Sequence, residues 1–291
     1  MARVLVSEEI SDKGLDLLRE AGHEVDVQIG LDDAGLAAAI VGAQAIIIRS
    51  ATTVSAELLS AGTDLKIVGR AGIGLDNVDV DAATERNVLV ANAPFSNAIT
   101  AAEHTMAMLL AQARNIAHAH AALVEGRWER SKWNGVELAE KTLGIVGLGR
   151  IGGLVAARAR AFDMEIIAFD PYVAPERAAG MGIELVDLET LIGTSDFVTL
   201  HLARTPDTMN LINAELLAKA KPGLRLVNVA RGGIIDEAAL ADAISNGPVG
   251  GAAIDVFAEE PTVASPLFTL PEVTVTPHLG ASTVEAQLKA G

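Results

Sequence analysis

The stretch GIVGLGRIGGLVAARARAF, residues 144–162, constrains the fold of this chain more than any other. Gly147, Gly149 and Gly152 stand in a G-x-G-x-x-G spacing, a pattern that alone arises easily by chance. Its surroundings make it specific. An apolar strand-like run (143–146) precedes it, an Ala-rich helical run (152–162) follows, and a second strand ends at Asp170, roughly 20 residues on. Glycines let the backbone turn tightly and approach a pyrophosphate, which rests on a helix N-terminus where N–H groups converge. Asp170 can accept hydrogen bonds from two ribose hydroxyls and would repel a 2′-phosphate. No basic residue directly follows it in DPYVAPE, so the pattern predicts NAD rather than NADP. Arg150 and Ile151 belong to the same loop, with Arg150 placed to contact the pyrophosphate.

Around this loop the chain alternates strand-like and helix-like runs, which implies parallel sheets covered on both faces. Strands are expected at ARVLVS, HEVDVQI, QAIIIRS, LKIVGRAG and NVLVANAP in the first 95 residues, separated by short helices. A long Ala-rich helix is expected over 96–126, after Pro94. Six further strands follow, in KTLGIVGLG, MEIIAFD, TSDFVTLHL, LRLVNVAR, GGAAIDVF and VTVTPHLG, enough for a complete dinucleotide-binding sheet.

The 291 residues suffice for two cores, and composition narrows the chemistry. With no cysteine, disulfides, thiolate catalysis and Cys-ligated metals are excluded. His118 and His120 fall on different faces of a helix, so no metal site is expected. A net charge of −16 gives no general attraction for nucleic acid or anionic membranes, and makes each arginine near a site worth following. No apolar run is long enough to span a bilayer, and MARVLVSEE enters a strand directly with no room for a signal peptide, so the cytoplasm is the expected compartment.

Three polar residues stand just after apolar strands of the second series. Arg231 follows LVNVA, Glu260 follows AAIDVFAE, and His278 follows VTVTP. Ligands of open parallel sheets bind beyond the carboxyl ends of the strands, so the three could meet on one small molecule. GLGRIG, NVARGGIIDE, AAIDVFAEEP and TPHLGAST, together with RSATTV, VGRAGIGLDNVD, SNAITAAEHTMAMLL and GRWERSKWNGVEL, resemble the D-isomer-specific 2-hydroxyacid dehydrogenases. The resemblance covers nearly the whole chain. It implies two doubly wound α/β domains: a flavodoxin-like substrate-binding domain (1–96, completed by 281–291) and a Rossmann NAD-binding domain (97–280).

The resemblance also implies roles. Arg231 would hold the substrate carboxylate and polarise the C2 oxygen, for which a planar fork of donors is suited. His278 would take the hydroxyl proton as hydride leaves C2, and Glu260 would orient the imidazole and stabilise its cation. Asp255 matches a residue that binds the nicotinamide amide. Leu202, Val229, Ala230, Gly280 and Ala281 match cofactor neighbours. Arg49, Ser50, Arg70, Gly72 and Asn97 match substrate contacts, and Arg130 resembles one supplied by a neighbouring subunit, so a homodimer or homotetramer is expected. Ile73 departs from the Thr often found there, and Ala203-Arg204 from Pro-Leu. Among 2-hydroxy acids, Arg49, Arg70 and Arg130 favour one bearing a phosphate, 3-phospho-D-glycerate. A glyoxylate or hydroxypyruvate reductase is the enzymatic alternative, and an NAD-sensing co-repressor-like binding protein the non-enzymatic one.

Overall fold

Short runs of β-branched and aliphatic residues, such as AIII at Ala45–Ile48, can bury both faces of a strand and so suit the inside of a parallel sheet. The computed structural model describes residues 1–290. Its contacts divide into two units, Met1–Asn97 with the segment from Ala281, and Ala98–Gly280.

In the first unit β1 (Arg3–Val6), β2 (Glu24–Val27), β3 (Ala45–Ile48), β4 (Ile67–Arg70) and β5 (Leu89–Asn92) form one sheet in the order β2-β1-β3-β4-β5. Every pairing is parallel. This is the flavodoxin-like order. Its core gathers Leu5, Ile46, Ile48 and Val68 from the strands with Leu36, Ile40, Leu58 and Leu59 from the helices. The four helices between these strands start where a short polar side chain can accept a first-turn N–H: Ser11, Asp32, Ser55 and Asp79 are the caps.

The second unit holds β6 (Thr142–Val146), β7 (Glu165–Phe169), β8 (Glu184–Leu185), β9 (Phe197–Leu200), β10 (Leu224–Asn228), β11 (Val249–Ile254) and β12 (Val273–Val275). Their order is β12-β11-β10-β9-β6-β7-β8, again all parallel. Counted within the unit this is the Rossmann order with a seventh strand added. The order reverses between β6 and β9, so the loop after β6 opens at the switch point where such sheets bind ligands. Alternate residues of β10 serve opposite faces. Leu224 and Leu226 join one core with Leu216 and Leu240, whereas Val227 joins the other with Leu109 and Val155.

Two expectations need correction. The helix expected over 96–126 is two helices, Ala98–Ala113 and Ile116–Val124. Asn115 between them takes the left-handed conformation, φ +52°, and its side chain donates to the Asn134 carbonyl at 3.0 Å. Asparagine tolerates that region better than most residues, and an Ala-rich sequence conceals the break. Strand β8 was not expected. With two residues it has no period to read, and it pairs only with β7.

Candidate active site

The ends of β10, β11 and β12 are level. Asn228 stands opposite Ile254, and Ile254 opposite Val275, so three loops leave adjacent strands at one height. Each carries one of the three residues read from the sequence.

After β10, the buried Asn228 closes the turn. Its Nδ2 donates to the Arg231 carbonyl at 2.9 Å, and its Oδ1 accepts from the Ala230 N–H at 3.0 Å. The two glycines behind Arg231 have separate causes. A Cβ on Gly232 would lie 1.6 Å from the Phe257 carbonyl oxygen, and Gly233 has φ +77°. The first allows the β10 and β11 loops to touch, and the second turns the chain into the helix Glu237–Ser245.

After β11, Glu260 has both oxygens engaged. Oε1 accepts from the Phe257 N–H at 2.8 Å, and Oε2 pairs with His278 Nδ1 at 2.5 Å. Glu237 steadies the same loop by accepting from the Ala258 N–H at 2.7 Å and the Ser265 hydroxyl at 2.9 Å.

After β12, His278 has φ +55°, a left-handed conformation that costs a non-glycine residue about 1–2 kcal/mol. Asp255 offsets this cost from three directions. Its carbonyl accepts from the His278 N–H at 2.8 Å. Its Oδ1 accepts from the Leu279 N–H at 2.7 Å and its Oδ2 from the Gly280 N–H at 2.8 Å.

The electrostatics follow from these contacts. The hydrogen bond to Glu260 raises the pKa of His278 above 6.5; burial opposes this, as does the nearby Arg231 cation, while the charges of Glu260 and Asp255 add to it. Burial pushes the Glu260 carboxyl up, but the bonds from His278 and the Phe257 N–H outweigh it and hold the group below its usual value. With Nδ1–H committed to a carboxylate, Nε2 is the His278 atom left to exchange a proton. A fixed imidazole beside a guanidinium can therefore take a proton from a hydroxyl, or give one to a carbonyl oxygen, on an anionic molecule held by Arg231.

The three glycines after β6 also divide their work. Gly147 has φ +97°, and a Cβ there would fall 2.6 Å from the His201 carbonyl oxygen. A Cβ on Gly152 would fall 2.2 Å from the Gly147 oxygen, which requires glycine for the helix Arg150–Arg160 to pack against the loop. Gly149 meets nothing within 4 Å and has no need of positive φ. It caps that helix with no side chain to bond the first-turn N–H groups. Open space beside unassisted helix N–H groups is what a pyrophosphate requires, so these residues fit a dinucleotide. Asp170 Oδ2 accepts from the Leu148 N–H at 2.8 Å, and Oδ1 from Tyr172 and Val173 N–H groups at 2.9 and 3.1 Å. Oδ2 keeps a lone pair for a ribose hydroxyl.

The remaining expected residues lie in several places. Arg150 is exposed at the start of its helix, and Ile151 packs on the core. The Leu202 side chain and the Val229 side chain flank the positions of Gly147 and Gly280, and Ala230 is half-buried in the Arg231 turn. Arg130 is exposed on the short helix Arg130–Trp133, and Arg204 is exposed in the loop after β9. Arg49, Ser50, Arg70, Gly72, Asn97 and Ala281 belong to the first unit. There the Glu8 carboxylate accepts from the N–H groups of Arg49, Ala51 and Thr52 at 2.7, 3.1 and 2.9 Å. Arg70 ends β4 and folds over Gly72, where a Cβ would lie 1.5 Å from its Nη1. Ile73 lends its carbonyl to Asn92 Nδ2 at 2.6 Å. Sequence reasoning missed Glu8, Asn228 and Glu237, which shape loops without facing a ligand. The available signal was their position: each stands at a strand end or just beyond a turn.

Among the described residues no group of three or more His, Asp or Glu side chains could hold a metal, and no helix is long and apolar enough to cross a membrane.

The family model for the D-isomer specific 2-hydroxyacid dehydrogenase NAD binding domain matches residues 106–280. A D-3-phosphoglycerate dehydrogenase of Mycobacterium leprae is 55% identical over 290 residues, covering 99% of this chain and 54% of its own length. The chain thus spans about half the length of the curated relatives it matches. Among solved structures, the TT0316 protein of Thermus thermophilus superposes with TM-score 0.91 at 36% identity, covering 99% of this chain and 93% of its own. An NAD-dependent formate dehydrogenase of Staphylococcus aureus, solved in complex with NAD, has TM-score 0.86 at 32% identity, covering 100% and 92%.

Proposed function

Because the chain belongs to the D-isomer specific 2-hydroxyacid dehydrogenases, we propose that it oxidises 3-phospho-D-glycerate to 3-phosphohydroxypyruvate with NAD, the step that opens serine biosynthesis. The observation that carries the chemistry is the 2.5 Å pair of His278 Nδ1 and Glu260 Oε2 beside Arg231. The relatives named D-3-phosphoglycerate dehydrogenase support the choice of substrate.

Gly147, Gly149 and Gly152, with the N-terminus of the helix Arg150–Arg160, would hold the pyrophosphate, and Asp170 the adenosine ribose. Leu202, Val229, Ala230, Gly280 and Ala281 would line the rest of the cofactor, with Asp255 near the nicotinamide amide. When bound, NAD would supply the acceptor for the hydride that leaves C2. Arg231 binds the C1 carboxylate and orients the C2 oxygen. Neutral His278 receives the hydroxyl proton at Nε2, while its Nδ1–H stays on Glu260, whose charge stabilises the resulting imidazolium. In the reverse direction the same Nε2–H supplies the proton.

Arg49 and Arg70, with Ser50, Gly72 and Asn97, would bind the phosphate end. Arg130, supplied by a second copy of the chain, would complete that set. A cytoplasmic setting and a homo-oligomer belong to the same reading; the homo-oligomer rests on the resemblance.

The test compares kcat/KM for 3-phospho-D-glycerate and D-glycerate by NADH absorbance. We expect a large preference for the phosphate; a ratio below about 10, or ~1.4 kcal/mol, would remove the phosphate argument and favour a glyoxylate or hydroxypyruvate reductase. Tight NAD binding with no turnover of any 2-hydroxy acid would instead favour a binding protein.

A further inference from the structure

Among the described groups near the site, the buried Asp255 carboxylate meets two partly buried side chains, His104 and Thr276, that the chemistry above does not use. His104 lies on the helix Ala98–Ala113, nearly two turns in, and the buried residues of that helix are mostly apolar. Its Nε2 stands 3.2 Å from Asp255 Oδ1 and 3.3 Å from the Thr276 hydroxyl. That hydroxyl donates to Asp255 Oδ1 at 2.5 Å. The Asp255 side chain has no exposed surface, and its carboxyl is held ionised: burial pushes its pKa up, but the bonds from His104, Thr276 and the Leu279 N–H outweigh it.

An ionised carboxylate only accepts, so the His104 tautomer is determined: Nε2 carries the hydrogen. His104 is the one donor to Asp255 that comes from a distant helix; Thr276, Leu279 and Gly280 all come from the turn that carries His278. The Asp255 backbone is fixed at the end of β11, where its N–H donates to the Asn228 carbonyl at 2.9 Å. The carboxylate itself is tied to a second element by His104, which sets its rotation against the helix rather than against the turn alone.

We propose that His104 is a positioning residue, which fixes Asp255 and through it the left-handed turn that aims His278. This rests on the reading of His278 as the proton-transfer group. It assigns His104 no contact with substrate or cofactor. The groups that bear on the His278 charge are Glu260, Asp255 and Arg231. Loosening the turn lengthens the first of these contacts, which is the main cause of the raised His278 pKa, so that pKa should fall back toward 6.5.

The experiment compares His104→Leu, which removes the donor, with His104→Gln, which keeps an N–H at the same reach. The full chain is used for both. For His104→Leu we expect kcat in the oxidation to fall about tenfold, the scale of one hydrogen bond to a charged group. KM for the 2-hydroxy acid should change little, and the acidic limb of the kcat profile should move to lower pH. His104→Gln should recover most of both effects.

In parallel, the His278 ring is titrated by NMR in each variant, with no cofactor or substrate present. A downward shift in His104→Leu, restored in His104→Gln, supports the proposal. An unchanged His278 titration in a folded His104→Leu protein overturns it, whatever the activity. Should His104→Leu fail to fold, Thr276→Val removes the neighbouring donor to the same oxygen and is read the same way. If the wild-type chain turns over no 2-hydroxy acid, the functional reading fails, while the titration still decides the role of His104.

Discussion

Each sheet ends in a carboxylate that gathers backbone N–H groups from a neighbouring loop, but the two devices hold different things. At the edge of the five-stranded sheet, Glu8 binds the N–H groups of Arg49, Ala51 and Thr52, and leaves the Arg49 side chain with a 3.3 Å contact to the Glu9 carbonyl. At the edge of the seven-stranded sheet, Asp255 binds the turn 278–280, and a second carboxylate grips the His278 ring itself. A guanidinium that meets an anion can be drawn into place by the ligand's charge. A base that must exchange a proton needs its ring direction settled beforehand. The first edge therefore fixes a loop, and the second fixes a side chain.

The largest effect expected from this contrast is at His278. His278→Ala should lower kcat by at least about 10²-fold, the usual span for a general acid–base, with the fold intact because the ring is half-exposed. Near-wild-type turnover in an NADH assay would show that the fixed side chain is not the proton-transfer group. Next comes Asp255→Asn. Whichever way the amide turns, an NH2 meets an N–H from Leu279 or Gly280, and a donor facing a donor costs about 1–3 kcal/mol. Both the melting temperature and kcat should drop. A variant that loses stability with kcat intact would separate the turn from the chemistry and break the contrast.

Much of this was legible in the residues, for identifiable reasons. Strand ends were readable because apolar runs stop where polar residues begin, and so Arg231, Glu260 and His278 stood out together. The Gly147–Gly152 spacing was readable because Gly147 and Gly152 each answer a backbone demand, while Gly149 leaves open space at the helix N-terminus. Glu8, His104, Asn228, Glu237 and Thr276 were not. Their roles depend on which N–H or carboxylate they meet after folding, and His104 lies 151 positions from its partner. The break at Asn115 was hidden for a related reason: helix propensity is high on both sides, and a single left-handed residue leaves no periodic trace.

A smaller effect should follow from Glu260→Gln, and it has a sign that depends on direction. His278 loses the main cause of its raised pKa, so its proton leaves at lower pH. In the proposed reaction, reduction of the 2-keto acid needs the imidazolium, and its alkaline fall should begin earlier, by about tenfold in rate for each unit of pKa lost. Oxidation needs the neutral ring, and its acidic limb should move down, so it suffers least at low pH. Rate profiles in both directions check this. Limbs that stay put in both would mean that Glu260 does not hold the charge of His278.

The smallest effect belongs to the other edge. Burial pushes the Glu8 carboxyl up, but the N–H groups of Ala51, Arg49 and Thr52 outweigh that and hold its pKa below 4.5. Its contribution to stability is therefore present above that value and lost as the pH falls through the lowered one. Glu8→Gln keeps one acceptor oxygen and turns the other into a donor, so part of the grip on Arg49–Thr52 survives. We expect KM for 3-phospho-D-glycerate, the proposed substrate, to rise about three- to tenfold, the loss of roughly one ordinary hydrogen bond, while kcat stays within about twofold. That split is the signature of ground-state binding, as a loop that merely presents a guanidinium should give. If kcat fell along with it, Glu8 would be shaping the transition state too, and the two sheet edges would be doing the same job.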